Sequence, residues 1–233
     1  MIEKKLKTTH GSISVKMPAA LDEVTLGQLL ALQEKHPLDD LDAISILSGV
    51  PKQDLHDVKN FDDFEVFGNY VHALSGQIEQ LYQNDIIPAK ITFITGKQKT
   101  TVDVIRNLSV EPAGAFLAAR EIIADEISEY IKSYGGDNWK ERFQPSLKAC
   151  CQVLAHYFFC RVTGKKYDEY EAEEFTEEIK KLRVPEALPI ARHFFTCYPN
   201  LLKPRTGFFQ RLLQFWRKKQ ASGSLRSLNI STL

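Results

Sequence analysis

Leu147-Lys-Ala-Cys-Cys-Gln-Val-Leu-Ala-His-Tyr-Phe-Phe-Cys-Arg-Val162 is the stretch that dictates how the rest of the chain must fold. Apolar side chains fall on nearly every side of a helix drawn through it, and Gly164 follows as a stop. A helix that is apolar all round is a buried one. The reading therefore places this helix at the centre of a core, with every other element arranged to cover it. No window of the chain approaches the roughly 18 uninterrupted apolar residues of a membrane span.

The segments on either side supply that cover. Upstream, Lys90-Ile-Thr-Phe-Ile-Thr and Gln98-Lys-Thr-Thr-Val-Asp-Val flank Gly96-Lys97 and read as a hairpin. Glu111-Pro112 then opens a helix, with proline at the favoured first position, running to about Tyr130 with Phe116, Leu117, Ile122, Ile123 and Ile127 on its apolar face. Tyr134 to Asn138 reads as a loop. Downstream, an acidic helix is expected from Glu171 to Leu182, and a last helix from Pro185 to Tyr198.

The first part of the chain follows the same order. Residues 5 to 16 alternate polar and apolar around Thr9-His-Gly11, again a hairpin. Thr25 is placed to cap a helix from Leu26 to about Lys35, and a second helix, Leu38 to Leu47, stops at Gly49 before Pro51. A third, from Phe61 to Tyr82, carries Phe61, Phe64, Phe67, Tyr70, Val71 and Leu74 at helical spacing. The order hairpin, glycine-bearing helix, glycine-terminated helix, charged stretch and aromatic helix occurs twice, which predicts an internal duplication. The expected fold is α+β and helix-dominated: two similar hairpin-plus-helices units at residues 1–87 and 88–203, a basic amphipathic helix at 204–220 and a polar tail at 221–233.

With 233 residues and 43% apolar content there is enough material for a sizeable core. Acidic and basic residues number 30 each, so net charge gives no global preference for nucleic acid or membrane. Their distribution is uneven. No acidic residue follows Glu186, whereas Arg192, Lys203, Arg205, Arg211, Arg217, Lys218, Lys219 and Arg226 all do. An acidic body thus carries a basic end. Met1 to Lys7 is charged and lacks the apolar run of an export signal, so the protein is expected in the cytoplasm of the cell that makes it.

Residues able to carry chemistry are few. His156 with Cys160, and His193 with Cys197, are i,i+4 pairs that together would make a Cys2His2 set of the kind zinc accepts. Both pairs lie among aromatic residues without a Cys-x2-Cys knuckle, and packing is the better account. Cys150 and Cys151 sit within the apolar run, where burial works against a thiolate. The acids Asp168 to Glu178 lack the ligand pattern of a calcium loop and read as a solvated face. No catalytic, cofactor-binding or metal-binding residue is therefore assigned.

The strongest interaction signal is Gly207-Phe-Phe-Gln-Arg-Leu-Leu-Gln-Phe-Trp-Arg-Lys-Lys219. Phe208, Leu212 and Phe215 share one helical row and Phe209, Leu213 and Trp216 the next, with Arg211, Arg217, Lys218 and Lys219 at the flanks. Such a face has to be covered by something, and a partner protein taking a helix in a groove fits the spacing. These ten residues are the expected partner-binding set. A nucleic-acid-binding accessory protein using the same basic segment is the alternative, and it would bind DNA with a steep salt dependence.

A hairpin followed by Val24-Thr-Leu-Gly-Gln-Leu-Leu-Ala-Leu-Gln33, then Leu41-Asp-Ala-Ile-Ser-Ile-Leu-Ser-Gly-Val-Pro51 and an acidic-aromatic helix, resembles tail-region proteins of tailed bacteriophages. The similarity is to those of phages infecting Bacteroidetes, including the ones labelled tail assembly chaperones, and it extends over residues 5 to 203. The resemblance implies a non-enzymatic protein with no cofactor and no small-molecule substrate, acting on other phage tail or virion proteins and forming homo-oligomers. It would work in the host cytoplasm during assembly, either coating a tape-measure protein or entering the virion as a ring or adaptor of the tail or neck.

Overall fold

Alternating strands and glycine or proline stops set the element order. In the computed structural model, which describes residues 1–78, 86–96, 98–136 and 139–197, β1 (Ile2–Thr8) and β2 (Gly11–Met17) precede α1 (Leu26–Glu34), α2 (Asp40–Ser48), α3 (Lys52–His56) and α4 (Glu65–Ile78). Then come β3 (Lys90–Thr95), β4 (Gln98–Asp103), α5 (Ala113–Tyr134), α6 (Trp139–Arg142), α7 (Leu147–Thr163), α8 (Glu169–Glu174), α9 (Thr176–Ile179) and α10 (Val184–Cys197). The fold is α+β and helix-dominated, and its described strands form two antiparallel two-stranded sheets. The segments expected at 204–220 and 221–233 lie outside the described residues.

Helix α7 is the centre, as its composition requires. Eleven of its residues are buried, from Leu147 to Phe159. Ser146 caps its start by accepting from the Ala149 N–H at 3.2 Å, and Gly164 ends it in the left-handed conformation at φ 68°. Around it pack α5, α8, α9, α10, α1 and β4. The hairpin β3–β4 contributes Phe93, whose ring meets Phe158 edge-on at 5.2 Å and Phe175 at 5.7 Å. On another side Tyr157 meets Phe194 of α10 at 4.8 Å, and its hydroxyl donates to the Ile105 carbonyl (2.8 Å) while accepting from the Ile105 N–H (2.7 Å). That pair satisfies a buried phenol and pins the β4–α5 connection to α7. Arg161 adds an ion pair to buried Glu111, a hydrogen bond to the Asp103 carbonyl (3.1 Å) and a cation–π contact 4.8 Å above Tyr157.

The start of α1 is tied to the entry of α10. Helical N–H groups in a first turn have no partner within their own helix. Here Leu26 N–H donates to the Leu182 carbonyl (2.9 Å) and Gly27 N–H to the Lys180 carbonyl (2.8 Å). Thr25 and Gln28 form a reciprocal capping box, and Val184 N–H returns a bond to the Val24 carbonyl (2.9 Å). Contacts of this kind cross the sequence position near 88 where the two hairpin-plus-helices units were expected to divide.

Several boundaries differ from the sequence reading. The aromatic helix read from Phe61 begins as a 3-10 turn, Phe61–Phe64, with Asn60 accepting from the Asp62 N–H (3.3 Å), and becomes α-helical only at Glu65. Pro112 is the N-cap of α5 and not its first helical residue, because its ψ of 144° is extended. Helix α5 also runs on to Tyr134, where the Tyr130 and Tyr134 rings meet at 4.9 Å. The acidic helix is two short ones. The chain tightens at Phe175, whose N–H reaches both the Glu171 and Glu173 carbonyls while its ring packs inward. Helices α3 and α6 are too short to leave a periodic signal, and both were missed.

The second residue of α5 is glycine for a steric reason. A Cβ on Gly114 would lie 2.7 Å from the Tyr167 ring, closer than carbon atoms approach. Gly114→Ala is therefore expected to destabilise the fold by about 1–3 kcal/mol, whereas Gly76→Ala, facing open space in α4, should stabilise it by about 0.5–1 kcal/mol. Urea denaturation of the two variants measures both; equal effects would remove the Tyr167 contact as the cause.

Candidate functional site

The buried cysteines and histidine serve the core. Burial drives the Cys150 thiol well above its usual range and raises Cys151 to about 11, so neither is a thiolate near neutral pH. His156 is 4% exposed, and its Nδ1 shares a hydrogen bond with the Tyr167 hydroxyl at 2.9 Å. Burial keeps that imidazole below the usual histidine range against the opposing pull of Glu169 and Glu173, and burial raises the Tyr167 phenol to about 12. The pair thus stays neutral and locks the loop after α7 onto α5 through Gly114.

The second His/Cys pair lies elsewhere. On α10, the Cys197 sulfur is 3.4 Å from Nδ1 of His193, whose Nε2 lies 3.2 Å from the Arg106 carbonyl. Cys197, the last residue of α10, is exposed, unlike the small buried hydrophobe that its sequence context suggested. Of the candidate ligands, His156 pairs with Tyr167 while His193 and Cys197 meet each other, and Cys160 is a half-buried free thiol. Among the described residues, no group of three or more His, Cys, Asp or Glu side chains could hold a metal ion. The acids of the run do form a solvated face, with Asp168, Glu169, Glu171, Glu173, Glu174 and Glu177 exposed, while the apolar residues Ala172, Phe175 and Ile179 turn inward on the other side.

A concave surface forms between α2 and α4. Its floor is apolar, made by Leu41, Ile44, Phe64 and Gly68, and its rim carries Asp39, Asp40, Asp62 and Glu65, enclosing about 480 Å³. Local capping explains part of this composition. Asp39 caps α2 by accepting from the Asp42 N–H (2.7 Å), and carboxylates in first turns are favoured by the helix dipole. Neighbouring charges are neutralised: Lys52 binds Asp39 (2.7 Å) and Asp42 (2.9 Å), and Lys4 binds Asp63 (3.0 Å). The hydrogen bond from the Lys52 ammonium holds the Asp39 carboxyl low, and the same bond holds Lys52 high. Asp40, Asp62 and Glu65 have no ion-pair partner among the described residues, and Leu38 and Val66 nearby are 44% and 43% exposed.

The expected partner-binding residues Phe208, Phe209, Arg211, Leu212, Leu213, Phe215, Trp216, Arg217, Lys218 and Lys219 lie outside the described residues. The α2–α4 cleft was missed in the sequence, because its rim acids are separated by more than twenty positions and each reads as an ordinary helix-start residue. No helix among the described residues is long and apolar enough to cross a membrane. No protein-family model, curated protein or solved structure matches the chain.

The buried imidazole has a measurable consequence. The unfolded chain takes up a proton at His156 near pH 6.5 while the folded chain resists it. Stability contributed by the neutral ring is thus complete above about pH 6.5 and declines as pH falls from there to the lower folded-state pKa. Thermal unfolding between about pH 7.5 and 5.5 should show a larger loss of midpoint for the native chain than for His156→Gln; parallel curves would contradict this.

Proposed function

We propose that this chain is a non-enzymatic bacteriophage tail assembly or virion structural protein that acts through protein–protein interfaces. The observation that carries the reading is its division of charge. An apolar cleft whose rim carboxylates Asp40, Asp62 and Glu65 have no ion-pair partner among the described residues lies on the body, and the sequence carries a basic segment with two aromatic-aliphatic rows, Phe208 to Lys219. Opposite charge around apolar contact area is how protein surfaces steer and orient one another. Support also comes from the stretches Val24 to Gln33 and Leu41 to Pro51, which resemble tail-region proteins, and from the use of Cys150, Cys151 and His156 in packing.

In this role the helical body is a rigid carrier and the basic segment an anchor. Phe208, Leu212 and Phe215, with Phe209, Leu213 and Trp216, supply the buried contacts, while Arg211, Arg217, Lys218 and Lys219 set orientation and encounter rate. Such an interface serves equally an assembly chaperone and a ring or adaptor component. Removing residues 205–233 is expected to abolish co-purification with other tail proteins while circular dichroism and the unfolding midpoint of the body stay unchanged. Undiminished association would reject the segment as the anchor. DNA retention that falls steeply with salt and vanishes in the truncated chain would favour the nucleic-acid reading instead.

A further inference from the structure

We infer that the α2–α4 cleft is the receptor for the basic aromatic segment, Phe208 to Lys219, of a second copy of this chain. The inference rests on the assembly reading above and adds to it the receiving surface and the identity of its occupant. The apolar floor and acidic rim of the cleft meet the two apolar rows and flanking cations of the segment. At about 480 Å³ the cleft falls within the roughly 300–1,000 Å³ of clefts that enclose compact groups, and its floor of Leu41, Ile44 and Phe64 is apolar, as aromatic anchors require. Its rim leaves Asp40, Asp62 and Glu65 without cationic partners among the described residues, although nearby Asp39, Asp42 and Asp63 have theirs. The segment brings the opposite charges in the sequence, Arg211, Arg217, Lys218 and Lys219, flanking its two apolar rows.

The occupant assigned is the segment of a neighbouring copy, and self-association is the property that distinguishes it from the same segment within one chain. Helix α10 meets α1 at its start, where Val184 bonds to Val24, and ends at Cys197 beside Arg106. The cleft is formed by α2 and α4, with β2 against α2, whereas the last turn of α10 lies at the β4–α5 connection through His193 and the Arg106 carbonyl. A segment of one copy in the cleft of the next is a heterologous contact. Repeated, it closes into a ring when the rotation permits and otherwise extends as a helical stack, and each is a form that a tail component takes under the proposed function.

Sedimentation velocity of the full-length chain over a concentration series tests this. Self-association is expected, weakening as salt is raised because the rim pairs are exposed. Neutralising the rim with Asp40→Asn, Asp62→Asn and Glu65→Gln should raise the dissociation constant roughly tenfold, a few-fold per exposed pair. A charge swap guards against misfolding as the explanation. The chain with Asp40→Lys, Asp62→Lys and Glu65→Lys, and the chain with Arg211→Glu, Arg217→Glu, Lys218→Glu and Lys219→Glu, should each remain monomeric alone and associate when mixed. A native chain that stays monomeric throughout, rim variants that associate like the native chain, or a mixture that stays monomeric would each overturn the inference. Loss of tail-protein co-purification on truncation reports on the proposed function separately, so the two can fail independently.

Discussion

One helix in this protein leaves only a narrow strip, at Lys148 and Gln152, towards water. Burying the face of an amphipathic helix takes a single neighbour, but α7 carries Cys150, Cys151, Val153, Leu154, Tyr157, Phe158 and Phe159 around most of its circumference and needs cover on nearly every side. The hairpin β3–β4 covers one side through Phe93, α10 another through Phe194, and α5, α9 and α1 close the remainder. Elements that would be marginal alone, a two-stranded hairpin and helices of four to six residues, persist because their apolar residues have this surface to meet.

Polar groups enter that core only where they are satisfied. Tyr157 uses its hydroxyl as both donor and acceptor on the backbone of Ile105, Arg161 gathers Glu111 and the Asp103 carbonyl, and Tyr167 pairs with His156. Each fixes a connection to α7 and not merely a helix face, which is how hydrophobic packing without direction gains a defined register. The Gly114–Tyr167 and Gly27–Lys180 approaches serve the same end sterically, since a side chain at Gly114 would meet the Tyr167 ring and one at Gly27 the Lys180 main chain. The α1 start and the α10 entry are joined by main-chain hydrogen bonds, so the early and late parts of the chain stabilise one another.

Function, on the reading proposed above, lies at the surface and in the distribution of charge. The core absorbs Cys150, Cys151 and His156, whereas carboxylates collect where α2 and α4 begin and cations in the segment Phe208 to Lys219. Carboxylates at helix starts are locally favourable, so the acidic rim of the cleft forms at little cost to folding while remaining available to a cationic partner.

Element type was legible in the sequence wherever the signal is local. The all-round apolar run at Leu147–Val162, the alternation in Ile2–Met17 and Lys90–Asp103, the Thr25 cap and the stops at Gly49 and Gly164 each depend on neighbours within a turn, and the structure places them accordingly. Spacing also put His193 beside Cys197 and kept Cys150 and Cys151 in the core, but it could not foretell that Cys197 would be exposed. Tertiary structure alone decided which groups separated in sequence would meet: Asp40 with Glu65 around one cleft, Gly114 with Tyr167, Leu26 with Leu182. Helical periodicity records only that a face must be buried, and the partner is selected by packing shape and by which backbone donors remain unsatisfied after each helix has formed.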